Sequence, residues 1–280
     1  MRRIGNGIQI IPFPRKCAHG ARLPEIYKSS SVATMSGQDY VNYDHWKSWS
    51  KDSFFRFSLH EANYFSADFD DVCLLDANFL EIGFGNGALL SWAKTRGAAI
   101  YGIEIFEISL ERAKQKNIPL LSSDLGDNLP QFNEFFDVIV AYDVLEHLSI
   151  PKIITALDAI AKMLKPGGQL MLRFPNGQSP FGRFLQHADH THRSTLSLAI
   201  LEQLTACGPL TISSHKPKKA PPIGPLRHRL GVRVKSAVRV VTEWYLKKVF
   251  DLNCELDTNV VMRLTKRAEG SNSESPPASH

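Results

Sequence analysis

The chain has 280 residues, 43% of them hydrophobic, and a formal net charge of +5. That length and apolar content suit one α/β domain with additions, and a second full domain is not expected. No apolar stretch approaches the roughly 20 residues of a membrane span, and the N-terminus lacks the apolar region of a secretory signal. A cytoplasmic protein is therefore expected, at most peripheral at the inner membrane surface. Cys17, Cys73, Cys207 and Cys254 lie far apart with no CxxC pair. All four are expected to be reduced, and none to be a zinc ligand or a nucleophile.

Residues 1–34 are rich in Pro, Gly, Ser and Arg without a sustained helix or strand period, which predicts a poorly ordered extension, with Met35 as the natural start. Residues 35–75 hold a dense aromatic series, Tyr40, Tyr43, Trp46, Trp49, Phe54, Phe55, Phe57, Tyr64 and Phe65. They read as a helical lid segment, or as ordinary core, since aromatic side chains bury large areas wherever they sit. From residue 76 to 266 strand and helix patterns alternate, as parallel α/β domains require.

The first strand runs into Leu80-Glu81-Ile82-Gly83-Phe84-Gly85-Asn86-Gly87, an apolar strand end, an acid and three alternating glycines. Glycine allows positive φ and lets a ligand approach the main chain, so this strand-to-helix loop reads as the floor of a nucleotide-like site. The spacing is GxGxG, and Ala88 at the next position leaves NAD open. Ala99 to Glu104 reads as a second strand ending in an acid placed for ribose hydroxyls, and a helix follows over 106–116. A short third strand, Leu120 to Ser122, leads to Asp124, an acid suited to an adenine amine. Phe136 to Tyr142 is a fourth strand and delivers Asp143-Val144-Leu145-Glu146-His147-Leu148.

A helix over 150–164 tolerates Pro151 in its first turn, and Leu164-Lys165-Pro166-Gly167-Gly168 turns into a fifth strand. A further helix over 195–207 stops at Gly208-Pro209, and Leu210 to Ser214 with Asn259 to Thr265 completes the sheet. Between those strands, residues 216–250 form a basic insertion, proline-broken at first and then amphipathic. Leu230, Val234, Ala237, Val241, Tyr245 and Val249 recur at helical spacing among Arg233, Lys235, Arg239, Lys247 and Lys248. This reads as a solvated helix face or as a surface for peripheral contact with an anionic membrane. Residues 267–280 are polar and are expected to be a disordered tail.

The ordered series from about Leu80 to Lys266 resembles the class I S-adenosylmethionine-dependent methyltransferases. The resemblance implies an α/β, doubly wound, Rossmann-like sheet of about seven strands, with Asn259 to Thr265 as an antiparallel edge strand. It implies S-adenosyl-L-methionine as cofactor, with Glu81, Gly83, Gly85 and Gly87 at its methionine end, Glu104 at the ribose and Asp124 with Leu125 at the adenine. Asp143 falls at the mouth of the pocket, as a cofactor contact and candidate catalytic residue. A narrower likeness, in Pro175-Asn176-Gly177-Gln178-Ser179-Pro180-Phe181-Gly182 and Asp189-His190-Thr191-His192, is to bacterial surface-polysaccharide methyltransferases. It implies Asn176, Asp189 and His190 as substrate contacts and O-methylation of a sugar. The chain departs from that pattern at Ala188-Asp189-His190, where the subgroup has a Gly-Asp pair before Thr-His. Alternatives are a small-molecule methyltransferase of quinone or secondary-metabolite type, a non-catalytic binding protein of the same fold, and an NAD oxidoreductase. The acceptor is thus a small molecule or a glycan. Nucleic acid is not expected, because no Asn/Asp-Pro-Pro-Tyr motif follows the fourth strand.

Methyl transfer from a sulfonium is an in-line displacement, so the protein mainly aligns the partners and excludes water. A hydroxyl acceptor also needs a base, and His147 and His192 are the leading candidates beside His187 and His190. Each has a plainer reading, as a loop hydrogen bond or an exposed side chain. Asp189 could orient an imidazole. His187, Asp189, His190 and His192 could be read as a metal cluster, but no cysteine or second cluster supports one, so no metal is expected. Arg173 and Arg183 read as anion contacts or surface ion pairs.

Overall fold

A computed structural model describes residues 53–217, 225–251 and 255–268, all within the compact unit Met35–His280. The extension 1–34 with Met35, the first part of the segment 35–75, part of the insertion 216–250 and nearly all of the tail 267–280 lie outside the described residues.

In chain order the elements are α1 (Leu59–Asp68), β1 (Asn78–Ile82), α2 (Ala88–Thr95), β2 (Ala99–Ile103), α3 (Glu107–Gln115), α4 (Leu125–Phe132) and β3 (Phe136–Tyr142). A one-turn 3₁₀ helix (Leu145–His147), α5 (Ile150–Met163), β4 (Leu164–Pro175), α6 (Gly182–Gln186), α7 (Leu198–Thr205), β5 (Leu210–Pro217), α8 (Leu226–Phe250) and β6 (Asn259–Lys266) follow. The described strands form one six-stranded sheet in the order β2-β1-β3-β4-β6-β5. β1 to β4 are mutually parallel, and β6 runs antiparallel between β4 and the outermost β5, so the sheet closes on an antiparallel edge pair.

The strand pattern follows from burial on both faces. Ile139 and Ala141 of β3 point into one apolar layer with Leu80, Ile153, Ile160, Leu170 and Met262. Their neighbours Val138, Val140 and Tyr142 point into the other, with Phe79, Trp92, Met171 and Val261. Alternation at period two within a continuous apolar run serves two cores.

Leu120 to Ser122 does not become a strand. One parallel bridge joins Leu120 to Gly102. The Asn128 side chain then takes the Ser122 N–H at 3.0 Å and the Ser122 carbonyl at 2.9 Å, the groups a strand would offer its neighbour. The sheet therefore has six strands where about seven were expected.

The described part of the aromatic segment is core. Phe54, Phe65 and Phe69 are buried, the latter two with ring centroids 5.7 and 5.5 Å from Trp92. Ser58 and Glu61 close a reciprocal capping box at the start of α1. The Phe55 N–H donates to the Asn86 carbonyl at 2.8 Å, which pins this segment to the glycine loop.

α8 keeps an apolar stripe in solvent, with Leu226, Leu230, Val234, Val238, Val241, Tyr245 and Val249 all exposed. It is tied back through an Arg239–Asp257 ion pair and the Leu256 N–H donating to Glu243 at 3.0 Å. No helix among the described residues is long and apolar enough to cross a membrane. Cys73 is a free, exposed thiol, whereas Cys207, just after α7, is disulfide-bonded. The expectation of four reduced cysteines is corrected, because separation along the chain says nothing about proximity across the fold.

Two glycines make opposite demands. A Cβ at Gly182 would lie 1.9 Å from the Asn176 carbonyl oxygen, while one at Gly231, inside α8, meets nothing within 4 Å. Gly182→Ala is expected to destabilise the protein by roughly 1–3 kcal/mol, because backbone cannot give way as a side-chain tip can. Gly231→Ala is expected to favour α8 by about 0.5–1 kcal/mol. Urea unfolding and far-ultraviolet circular dichroism of the two variants check both signs.

Candidate active site

In the strand order, β1 sends its successor to one side and β3 to the other, so the sheet reverses between β1 and β3. Ligands of such sheets sit in the crevice outside the carboxyl ends of the strands at that point. The glycine loop follows β1, Glu104 follows β2, residues 143–148 follow β3, and Pro175 ends β4.

Gly83, Gly85 and Gly87 have φ of 71°, 53° and 71°, in the left-handed region that favours glycine. Gly83 is required twice over, since its Cβ would stand 2.6 Å from a methyl of Val144. The Gly83 N–H donates to the Ile103 carbonyl at 2.8 Å and the Gly85 N–H to Glu104 Oε2 at 2.7 Å. Glu104 Oε1 accepts from the Ile105 and Phe106 N–H groups at 2.6 and 3.1 Å. Burial raises the Glu104 pKa, against the pull of these three donors. A carboxylate offers about four lone-pair sites, so Oε2 retains room for a hydroxyl donor.

Glu81 is 6% exposed and its Oε2 has no hydrogen-bond partner among the described residues. Burial drives its pKa well above the ordinary 4.5, more than the nearby Arg173 charge can offset. The Leu90 N–H serves the carboxyl, but a buried oxygen left without a donor is costly, and a cationic ligand group would relieve it.

Asp124 is exposed and caps α4, accepting from the Gly126 N–H at 2.9 Å, with Leu125 half-buried beside it. Asp143 has φ +56° and takes the Arg173 guanidinium in a bidentate ion pair, Nε lying 3.0 Å from Oδ1. The β3–β4 register sets Tyr142 opposite Arg173, and the guanidinium lies 4.5 Å from the Tyr142 ring centroid. Burial opposes the Arg173 charge, but Asp143 outweighs it and holds the guanidinium cationic. A carboxylate clamped by Arg is a poor proton acceptor. The Asp143 carboxylate, expected as a cofactor contact and candidate catalytic group, is thus paired with the largely buried Arg173.

A second constellation follows β3. His147 and Glu146 sit on the buried 3₁₀ turn, and the segment 189–194 folds back onto it, with the Arg193 and Ser194 N–H groups donating to the Glu146 carbonyl at 2.8 and 3.0 Å. Thr191 gives both its N–H, at 2.9 Å, and its hydroxyl to Asp189 Oδ1. The hydroxyl has one proton, so toward His147 Nδ1, 2.8 Å away, it accepts. His192 Nδ1 faces the Gln186 carbonyl at 3.0 Å, which also only accepts. In its neutral form each imidazole would carry its proton on Nδ1 and its lone pair on Nε2, and the ring centroids lie 4.7 Å apart. Burial would raise Asp189, but the two Thr191 donors and the neighbouring imidazoles outweigh it and lower its pKa.

Of the expected substrate contacts, Asn176 is 2% exposed and accepts from the Gln178 N–H at 3.1 Å, so it shapes its own loop. Asp189 holds Thr191, and His190 is exposed and apart from the cluster, as is His187. Sequence reasoning missed Glu146, Gln186 and Thr191. The Glu146-His147 dipeptide after a buried strand was the available signal for the first.

These features, a left-handed glycine cradle, a buried acid after β2 and a buried acid with an unpaired oxygen near the end of β1, suit a nucleoside-like ligand carrying a cationic group. Residues 31–206 match the family described as "Methyltransferase domain", and the chain belongs to that family. It is similar to ubiquinone biosynthesis O-methyltransferases, from Pseudomonas putida at 30% identity and from Chromobacterium violaceum at 31%, over 44% of this chain and 55% of each relative. The chain spans about half the length of the curated relatives it matches. Among solved structures, a SAM-dependent methyltransferase from Archaeoglobus fulgidus superposes with a TM-score of 0.56 at 16% identity, covering 81% of this chain and 99% of that one. An S-adenosylmethionine-dependent methyltransferase from Mesorhizobium loti gives 0.51 at 15%, covering 73% and 98%.

The chain thus combines membership of that methyltransferase family with the fold of S-adenosylmethionine-dependent methyltransferases. The chain's residues fit S-adenosylmethionine: Glu81 Oε2, buried without a donor, would take an amino acid's ammonium, and the loop at Gly83, Gly85 and Gly87 holds the left-handed backbone that glycine adopts without strain. When bound, the cofactor supplies an activated methyl on sulfonium. Glu81, the glycine loop and Glu104 are the groups of this chain that would hold it.

Because folding raises the Glu81 pKa, the folded protein keeps a proton the unfolded chain would release, and this term loses stability as pH climbs from 4.5 toward the raised value. A cation beside Glu81 reverses the preference. Cofactor binding is expected to release a proton and to tighten as pH rises through that interval. Glu81→Gln is expected to weaken binding by about 10–100-fold, the equivalent of 1.4–2.7 kcal/mol, and to flatten its pH dependence. Calorimetric titration in buffers of different ionisation enthalpy reads both.

Proposed function

We propose that the chain O-methylates a hydroxyl of a small-molecule acceptor, of the phenolic or quinone-precursor kind. The observation that carries this reading is the buried hydrogen-bonded series Asp189–Thr191–His147 at the carboxyl end of β3, adjoining the turn whose Val144 touches Gly83. A hydroxyl must lose its proton as it attacks, whereas an amine with a free lone pair need not, so an oriented imidazole cluster favours oxygen acceptors. The name carried by the relatives, O-methyltransferase, agrees.

The sugar reading rested on the segment 175–192. Asn176 and Gly182 account for much of that pattern locally, because the loop needs a glycine against the Asn176 carbonyl and an Asn to accept from Gln178. That lowers its value as a sign of a saccharide and favours the small-molecule reading.

The test is transfer of labelled methyl from S-adenosylmethionine to a panel of catechols, hydroxybenzoates, nucleotide sugars and amines, with product identification by mass spectrometry. A methyl ether on a phenolic acceptor is expected. Methylation confined to a saccharide or to nitrogen would overturn the proposal.

Thr191 acts through His147 and is a positioning residue. Thr191→Val is expected to lower kcat by about 10–100-fold with little change in cofactor affinity, and to shift the pH profile of kcat. A rise in KM or a loss of cofactor binding with an unshifted profile would mark a merely structural loss.

A further inference from the structure

We propose that α8 is a membrane-docking helix, which lies flat on a bilayer rich in anionic lipids and presses its apolar stripe into the headgroup region. The proposal does not depend on the O-methylation argued above. A helix on the surface of a globular protein turns its apolar stripe toward the core and its charges toward water. α8 does the reverse. It is tied to residues 255–257 through polar groups one turn apart, Arg239 in the ion pair with Asp257 and Glu243 accepting from the Leu256 N–H at 3.0 Å. At about 3.6 residues per turn, the stripe through Leu230, Val234, Val241 and Tyr245 lies roughly 180° round the helix from those two side chains. Val241 is 62% exposed, Trp244 61% and Leu230 60%.

The rim of the stripe is basic. Arg229, Arg233 and Lys247 follow one edge and Lys235 the other, while Arg227 and Lys248 stand at its two ends. All six are exposed, and none enters an ion pair among the described residues. The one acid within the helix, Glu243, is on the inward side. Long basic side chains lay their stems along apolar surface while their charged ends reach outward, and each such charge strengthens attachment to an anionic lipid surface several-fold. Trp244 and Tyr245, both exposed on the stripe, are of the type that favours the boundary between hydrocarbon and water.

Shape and charge choose the occupant. From Leu226 to Val249 the stripe follows about 35 Å of helix, a long convex strip that matches a plane. A second copy of the chain would bring the same six cations against these, and like charges repel at that range. α8 lies on the bilayer and does not cross it, since no helix among the described residues is long and apolar enough to do so. The anchoring segment also meets the loop after β4: the Asn176 N–H donates to the Thr258 carbonyl at 2.9 Å, and Asn176 Nδ2 lies 3.4 Å from Glu255. A docked α8 therefore holds the crevice edge of the sheet beside the lipid surface.

The test mixes the full chain with vesicles of phosphatidylglycerol and phosphatidylcholine, or of phosphatidylcholine alone, and measures bound protein by sedimentation. Binding to the mixed vesicles is expected, at least about 10-fold weaker on phosphatidylcholine alone and weakened by added salt. Val241→Asp, and separately Arg233→Glu with Lys247→Glu, are each expected to weaken it by at least about 10-fold. Leu59→Asp, at an exposed apolar site on α1, is expected to leave it unchanged. Brominated acyl chains are expected to quench tryptophan emission in the wild type and much less in Trp244→Phe, which tests the same face without adding a charge. Absence of binding to the mixed vesicles, equal binding to both kinds, or binding indifferent to Val241→Asp overturns the proposal. So does a dimer in solution, seen by light scattering, that Val241→Asp dissociates, because a second copy would then cover the stripe.

Discussion

At Gly83 there is no room for one carbon atom. The Val144 methyl occupies the place a Cβ would take, 2.6 Å from its ideal position. This contact fixes the loop after β1 against the turn after β3, across the point where the sheet reverses direction. The rest of the active site depends on it. The cofactor cradle and the histidine cluster come from different strands, yet a methyl group can pass between their ligands only if the two strand ends abut. A reaction without large protein rearrangement requires such positioning in advance.

Charge is distributed in two ways along that edge. Glu81 and Glu104 are both buried and both pushed up by burial, but Glu104 has three backbone donors and Glu81 has an oxygen with none. One acid builds the loop, and the other awaits a cation. On the acceptor side Asp143 is matched by Arg173 and Asp189 by Thr191. The Glu81 end of the site thus keeps its electrostatic strain where a positively charged ligand would relieve it.

Much of the fold was legible from β1 to β4, because buried parallel strands are continuous apolar runs and glycine in a strand-to-helix turn has few structural uses. Glu81, the glycines and Glu104 were legible for the same reason, each lying at the end of such a run. The third strand was misread at Leu120 to Ser122, since strand propensity cannot see the Asn128 amide six residues on taking up the backbone of Ser122. The pairing of Asp143 with Arg173 was illegible because the two are thirty residues apart and meet only through the β3–β4 register. The grouping of Glu146 and His147 with His192 was illegible. It depends on two backbone hydrogen bonds from Arg193 and Ser194, and nothing in residue type announces those.

α8 has a thermodynamic consequence of its own. At 25 residues it is about 37 Å long, yet its apolar stripe covers nothing and is covered by nothing among the described residues. Helices in proteins gain most of their stability from burying such a stripe. α8 is instead maintained by intrinsic propensity and by its ties to Leu256 and Asp257. Its melting is therefore only weakly coupled to that of the sheet, whose apolar layers exclude water on both faces. Denaturation of this protein is not a single cooperative event: the helix opens at a small fraction of the free energy that separates β3 from β4, and a two-state analysis of helical signal would understate the stability of the catalytic core.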